Sequence, residues 1–182
     1  VFEQTDEKLI SKALAGHAGA WTKLVRRYDK AIYHYALRMC SRHDDAQDLM
    51  QDIFMAVCRN LATYRGDGEF KAWLFRIAHF RVVEYYRRKK PLQSIDDEPE
   101  VAQESQHDPD IVLFSQRQGE HLAGAMQQLP LAQKAVVELK FYGQFTCDEI
   151  ASQLGVSANT VKSRLYAALD KLKLILEAQD AA

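Results

Sequence analysis

Residues 146–165, TCDEIASQLGVSANTVKSRL, limit the possible folds more than any other stretch of the chain. Ile150, Ala151, Leu154, Val156, Val161 and Leu165 form an apolar set at helical spacing, interrupted at Gly155. The pattern predicts a short helix over Cys147 to Leu154, a tight turn, and a second helix capped by Ser157. Glycine adopts the left-handed backbone of such a turn without steric cost. A serine oxygen at a helix start accepts a backbone N–H that has no other partner. Ala151 is small where two steeply crossed helices must approach closely. The outward positions Asn159, Thr160, Lys162, Ser163 and Arg164 carry donors suited to base edges and phosphates. These features predict a helix-turn-helix that reads duplex DNA; a helical hairpin with a polar outer face has the same apolar pattern.

A net charge of −1 is unusual for a nucleic-acid binder, but the charges are segregated. The part up to Lys90 is basic and ends in Arg87-Arg88-Lys89-Lys90. Seven acids then run from Asp96 to Asp110 before the next positive charge at Arg117. That distribution predicts a nucleic-acid-facing domain followed by an acidic tether. Cys40, Cys58 and Cys147 are scattered and odd in number, and the histidines have no ligand spacing, so neither metal nor disulfide framework is expected. No apolar run is long enough to span a bilayer and no signal-peptide pattern opens the sequence, so the expected location is the cytoplasm.

Helical periodicity runs through Leu9, Ile10, Ala13 and Leu14, then Trp21, Leu24, Val25 and Tyr28, then Ile32, Tyr35, Ala36 and Met39. After a break at Arg42 to Asp45, where Asp44 or Asp45 can cap, Leu49, Ile53, Phe54, Val57 and Leu61 continue it. Tyr64 to Glu69 reads as a turn, and Phe70 to Arg88 as a long amphipathic helix. The prolines and acids of 91–113 read as a flexible linker. Helical pattern returns near Val112, Pro130 opens another helix, and the last helix runs on through Leu169, Leu172 and Ile175. The predicted fold class is all-α: a helical domain over 5–90, the acidic linker 91–113, and a helix-turn-helix domain over 114–178.

Three motifs in this order give the chain a family likeness from about Asp6 to Leu176. They are Asp45-Ala46-Gln47-Asp48-Leu49-Met50-Gln51-Asp52-Ile53-Phe54; Tyr64-Arg65-Gly66-Asp67 with Phe70, Trp73-Leu74-Phe75-Arg76-Ile77-Ala78 and Tyr85-Tyr86-Arg87-Arg88; and Leu129-Pro130 followed by the helix-turn-helix. With them the chain resembles bacterial RNA polymerase sigma factors of the sigma-70 family, in the extracytoplasmic-function (ECF) branch. The resemblance implies a non-enzymatic promoter-specificity subunit that uses no cofactor, metal or small-molecule substrate. It implies docking on core RNA polymerase, through the β′ clamp helices and the β subunit, and binding to promoter DNA. It also implies control by an anti-sigma factor, which could hold the protein at the inner membrane.

On that resemblance, Asp45, Asp48, Gln51 and Asp52 form the polymerase-docking face, for which a solvated acidic face is the plain alternative. Tyr64, Arg65, Phe70, Arg76, Phe80, Arg81, Arg87 and Arg88 would bind and open the −10 element, where an unpaired base must be stacked and its backbone neutralised. Trp73 and Tyr85 share the core face with Leu74, Ile77 and Ala78, and Arg87 to Lys90 suit phosphate contact. Ser157, Asn159, Thr160, Lys162, Ser163, Arg164 and Lys171 would read the −35 element. Two departures are expected to matter. Phe80 stands where ECF relatives commonly carry Asn in the −10 base pocket. Ala167 and Leu169 stand where many relatives add basic residues, which predicts weaker phosphate contact. An operator-binding regulator would share the third motif but leave Asp45 to Arg88 unexplained. A metal-dependent helical enzyme would need His or Glu partners at ligand spacing, and there are none.

Overall fold

The computed structural model describes residues 4–40, 42–89 and 115–180, and the acidic linker 91–113 lies outside them. Every regular element among the described residues is helical: α1 (Asp6–Leu14), α2 (Ala18–Cys40), α3 (His43–Asn60), a 3₁₀ turn at Leu61–Thr63, α4 (Phe70–Lys89), α5 (Ser115–Gln127), α6 (Leu131–Val137), a π-helical turn at Glu138–Tyr142, α7 (Cys147–Leu154) and α8 (Ala158–Asp180).

In the first half, α2 packs against α3, α4 packs on both, and α1 packs on α2. The stripes read from sequence supply this core: Leu24, Ile32, Tyr35 and Met39 from α2, Leu49, Ile53 and Val57 from α3, and Leu74, Ala78 and Val82 from α4 are all buried. Leu14 is an exception, half exposed at the end of α1. Asp6 ties α1 down by accepting from Arg27 and from the Tyr28 hydroxyl. The expected carboxylate cap on α3 does not form. Arg42 is its N-cap, without a side-chain bond, and Asp44 and Asp45 lie within the first turn. There their charge still favours the positive end of the helix dipole.

In the second half, α5, α6 and α7 pack around α8. Ile150, Val161 and Leu165 are buried where α7 crosses α8, and Gly155 turns between them at φ +69°. Ser157 caps α8 by accepting from the Thr160 N–H at 3.0 Å. Thr146 and Glu149 close a capping box at the start of α7: Oγ1 of Thr146 accepts from the Glu149 N–H, and the Glu149 carboxylate accepts from the Thr146 N–H. The backbone N–H of Thr146 and then its hydroxyl hold the Glu149 carboxyl below the ordinary glutamate range.

The helix opened by Pro130 widens instead of ending. Gly143 N–H donates to the Glu138 carbonyl at 2.9 Å, five residues back, and Phe145 N–H reaches the Leu139 carbonyl at 3.1 Å. A π turn of this kind bulges the helix and re-aims the residues after it. It needs Gly143, since a Cβ there would sit 2.6 Å from the Leu139 carbonyl oxygen and 2.6 Å from the Phe145 ring. Gly143→Ala should therefore cost about 1–3 kcal/mol, as overpacking does, read as a lower urea midpoint with unchanged slope.

Candidate polymerase-docking and DNA-reading surfaces

The acidic face of α3 faces the end of α4. Asp45, Asp48, Leu49 and Asp52 line one wall of a hollow of about 250 Å³, and Tyr85, Arg88 and Lys89 line the other. Asp45 accepts from the Tyr85 hydroxyl at 2.6 Å and from Lys89 Nζ at 2.7 Å. Partial burial would raise its carboxyl, but these two donors outweigh it and hold the pKa below the usual aspartate value. Asp52 lies 3.7 Å from Arg88, while Asp48 and Gln51 are exposed. The four docking candidates thus fall into two kinds: Asp48 and Gln51 point outward, and Asp45 and Asp52 are engaged with α4. Two of the expected phosphate ligands are engaged in return, since Lys89 pairs with Asp45 and covers the Tyr85 ring, and Arg88 sits between Asp52 and Glu84. Arg87 is exposed; Lys90 lies outside the described residues.

The aromatic-basic segment divides as well. Phe70, expected to meet DNA, is 3% exposed and packed edge-on between Tyr28 and Tyr64, as a core wedge at the start of α4. Tyr64 is half-buried, its hydroxyl donating to the Gly68 carbonyl at 2.9 Å, and Arg65 is exposed at the turn. Beside them runs a groove of about 390 Å³ lined by Asn60, Trp73, Arg76, Ile77, Phe80 and Arg81 among others. Phe80 is 54% exposed, with the Arg76 guanidinium 5.9 Å from its ring centre. Arg81 pairs with Glu84 at 2.6 Å. Trp73, expected in the core, is half-buried, packed on Tyr64 and Phe70 while its remaining edge lines the groove. Tyr85 is likewise half-buried. Asn60 has no mark in the sequence, because it comes from α3 and lines the same groove as Phe80 only through the packing of α4 on α3.

On α8, Asn159, Lys162 and Ser163 are exposed, and Thr160, Arg164 and Lys171 are half-buried. Three of the hydroxyls serve the helix itself. Ser157 and Thr160 share a bond at 2.8 Å, and Ser163 donates to the Thr160 carbonyl. Arg164 lies near His79 of α4. Burial, and then that charge, push the His79 imidazole down to about 4. The folded protein thus refuses a proton that the unfolded chain accepts below the ordinary value of 6.5. The stabilisation is full above pH 6.5 and is lost as pH falls toward 4. His79→Gln should flatten that decline, measured as urea midpoints at about pH 7 and about pH 5.

The fold and these surfaces define an all-helical protein with a basic, aromatic-lined N-terminal bundle and a C-terminal helix-turn-helix. The Sigma-70 region 2 profile matches residues 24–91, and the Sigma-70, region 4 profile matches residues 120–172. The chain belongs to the sigma-70 family, within its ECF branch. It is 28% identical to the ECF RNA polymerase sigma factor SigE of Mycolicibacterium smegmatis over 85% of this chain, and the match spans 60% of that protein. Against the RNA polymerase sigma factor SigV of Bacillus subtilis the identity is 28%, over 82% of this chain and 86% of SigV. The solved structure of CnrH in complex with the cytosolic domain of CnrY superposes with a TM-score of 0.69 at 25% identity, covering 95% of this chain and 97% of that one.

Proposed function

We propose that this chain binds core RNA polymerase, directs it to promoters through −35 and −10 contacts, and promotes melting of the start site. It acts by binding alone and catalyses no reaction. The single observation that carries this reading is the pairing, in one chain, of an outward acidic face on α3 and an aromatic-basic groove on α4 with a capped helix-turn-helix at α7 and α8. A DNA-binding regulator needs only the last of these.

The roles divide by region, with 5–90 serving core binding and the −10 element, 91–113 the tether, and 114–178 the −35 element. Asp48 and Gln51 meet basic side chains of the polymerase, and such complementary charge sets orientation and on-rate more than affinity. Asp45 holds the end of α4 against α3, and Asp52, only loosely approached by Arg88, adds to the outward negative field. The groove beside Phe80 takes an unpaired base: Phe80 supplies a stacking face, Arg76 a cation, and Asn60 an amide near the position where relatives carry Asn. Stacking a base on an aromatic ring contributes about 1–3 kcal/mol, enough to offset much of the cost of unpairing it. The protein works in the cytoplasm under an anti-sigma partner. CnrH, solved with the cytosolic domain of CnrY, supports a partner of that kind. Among the described residues no helix is long and apolar enough to cross a membrane.

Run-off transcription tests the proposal. Purified chain added to core polymerase should give transcripts from a subset of promoters drawn from its own genome. Active core with no factor-dependent transcript from any of them would refute it.

A further inference from the structure

The groove beside Phe80 has two chemically different walls. Its volume of about 390 Å³ has room for one nucleic-acid base. Phe80 is exposed and carries no hydrogen-bonding group, so it can stack a base but cannot tell one base from another. Discrimination has to come from the polar groups around it.

On the α3 side those groups present acceptors. Asn60 donates through Nδ2 to the Ala56 carbonyl at 2.7 Å, one helical turn back. The amide is planar, so this bond fixes its rotation and leaves Oδ1 as the end turned away from that carbonyl. A flipped amide would set two oxygens against each other. Thr63 spends its hydroxyl proton on the Asn60 carbonyl at 2.7 Å, which leaves Oγ1 with lone pairs only. Both orientations are set by the end of α3 and the 3₁₀ turn after it, before any ligand arrives. On the α4 side the group beside Phe80 is a donor. Arg76 is exposed, with its guanidinium 5.9 Å from the centre of the Phe80 ring. Arg81 and Glu84 are paired with each other at 2.6 Å, so Arg76 is the guanidinium placed to meet a stacked base.

An acceptor wall opposite a donor wall fits one kind of base edge. Adenine and cytosine carry an exocyclic amino group, a donor, beside a ring nitrogen that accepts. Thymine and guanine reverse the order, with a carbonyl oxygen beside a ring N–H. In the pose that lets the amino group donate to Asn60 Oδ1, the ring nitrogen of adenine or cytosine accepts from Arg76. Thymine or guanine in that pose sets oxygen against oxygen and N–H against guanidinium, so both bonds go unmade. A site built to hydrogen-bond one group rejects the analogue that leaves its polar atoms unpaired. In a duplex these edges are occupied by the partner strand, so the groove can read only a base that has left its pair.

We infer that Asn60 is a specificity-determining residue: the groove between α3 and α4 selects an unpaired adenine or cytosine, whose exocyclic amino group donates to Asn60 Oδ1 and whose adjacent ring nitrogen accepts from Arg76, while Phe80 stacks on the base without preference. The inference rests on the reading of this groove as the place where an opened strand is held. It puts the choice of base on the end of α3 rather than on the aromatic position of α4.

The test uses the full chain assembled with core polymerase and a promoter identified by run-off transcription. A fluorescent copy of that promoter, premelted over the −10 element, is changed one non-template position at a time to each of the four bases. At one position adenine and cytosine should bind about ten-fold or more tighter than thymine and guanine, within the range of a good bidentate contact. The amino group is then deleted at that position, with purine replacing adenine and 2-pyrimidinone replacing cytosine. Wild-type holoenzyme should lose about the same factor. Holoenzyme with Asn60→Ala, already without the acceptor, should lose less than about two-fold, so that the two deletions are coupled. Asn60→Asp keeps an oxygen in place and should keep the preference for an amino-bearing base. Were Asn60 needed only to end α3, Asn60→Ala would weaken all four bases alike and retain the preference. Phe80→Ala should weaken all four alike, by about 5- to 150-fold. A holoenzyme that transcribes from the promoter yet shows no position of this pattern overturns the assignment and leaves the sigma-factor reading standing. So does an Asn60→Ala variant that still loses the full factor when the amino group is deleted. Active core without any factor-dependent transcript removes both readings.

Discussion

Reversing charge at Asp48 and Asp52 together should reduce holoenzyme assembly by at least about 100-fold, since placing like charges across an interface costs several kcal/mol and each 1.4 kcal/mol is about ten-fold. The geometry dictates which acids to change. Asp48 is exposed, and Asp52 has only the loose 3.7 Å approach of Arg88, both partners being largely exposed. Exposed pairs of this kind contribute about 0–1 kcal/mol, so Asp48→Arg with Asp52→Arg should leave the fold intact. Asp45 is the wrong target, because its bonds to Tyr85 and Lys89 hold α4 on α3 and its loss would confound docking with folding. Gel filtration of the variant with core polymerase, alongside its helical circular dichroism, reads both quantities. Normal assembly by a folded variant would remove α3 from the docking surface.

The second large effect is expected on α8. Asn159→Ala should weaken binding to the cognate −35 duplex by about 5- to 150-fold, the 1–3 kcal/mol of a bidentate base contact, with little change on unrelated duplex. Lys162→Ala should weaken binding to all duplexes alike and lower the salt slope by about 1, as loss of a phosphate contact does. Ser163→Ala should change little, since that hydroxyl already donates to the Thr160 carbonyl. Anisotropy titrations of the full chain over a range of salt separate these cases. With Ala167 and Leu169 exposed one turn beyond the reading residues, the wild-type slope should itself be shallow. A steep slope would show phosphate ligands elsewhere.

The helix-turn-helix was legible because each of its rules is local. Gly155 needs a positive φ, Ser157 caps three residues ahead, and the apolar positions repeat with the helix. The capping box of Thr146 and Glu149 obeys an equally local rule, two residues three apart, but was not read from the sequence. Other roles were not legible. Phe70 is one aromatic among many in sequence, and only the packing of Tyr28 and Tyr64 against it separates a core wedge from a base-stacking surface. Lys89 and Arg88 read as phosphate ligands until α4 brings them to the acids of α3. Asn60 joins Phe80 in one groove only through the packing of α4 on α3. Asp44 and Asp45 have the chemistry of caps, yet α3 starts earlier than their position suggested.

The sequence by itself determined the helical class, the stripes that form the core, and the turn that presents α8, because these depend on periodicity and backbone preference within a few residues. The tertiary structure decided which charges face outward and which are consumed internally, and that the two halves meet through Arg38 and Glu138, a hundred residues apart. Pairing across such a distance depends on where whole helices come to rest, and the π turn that aims Glu138 is set by its fit against Phe145 and Leu139 rather than by the propensity of its own residues.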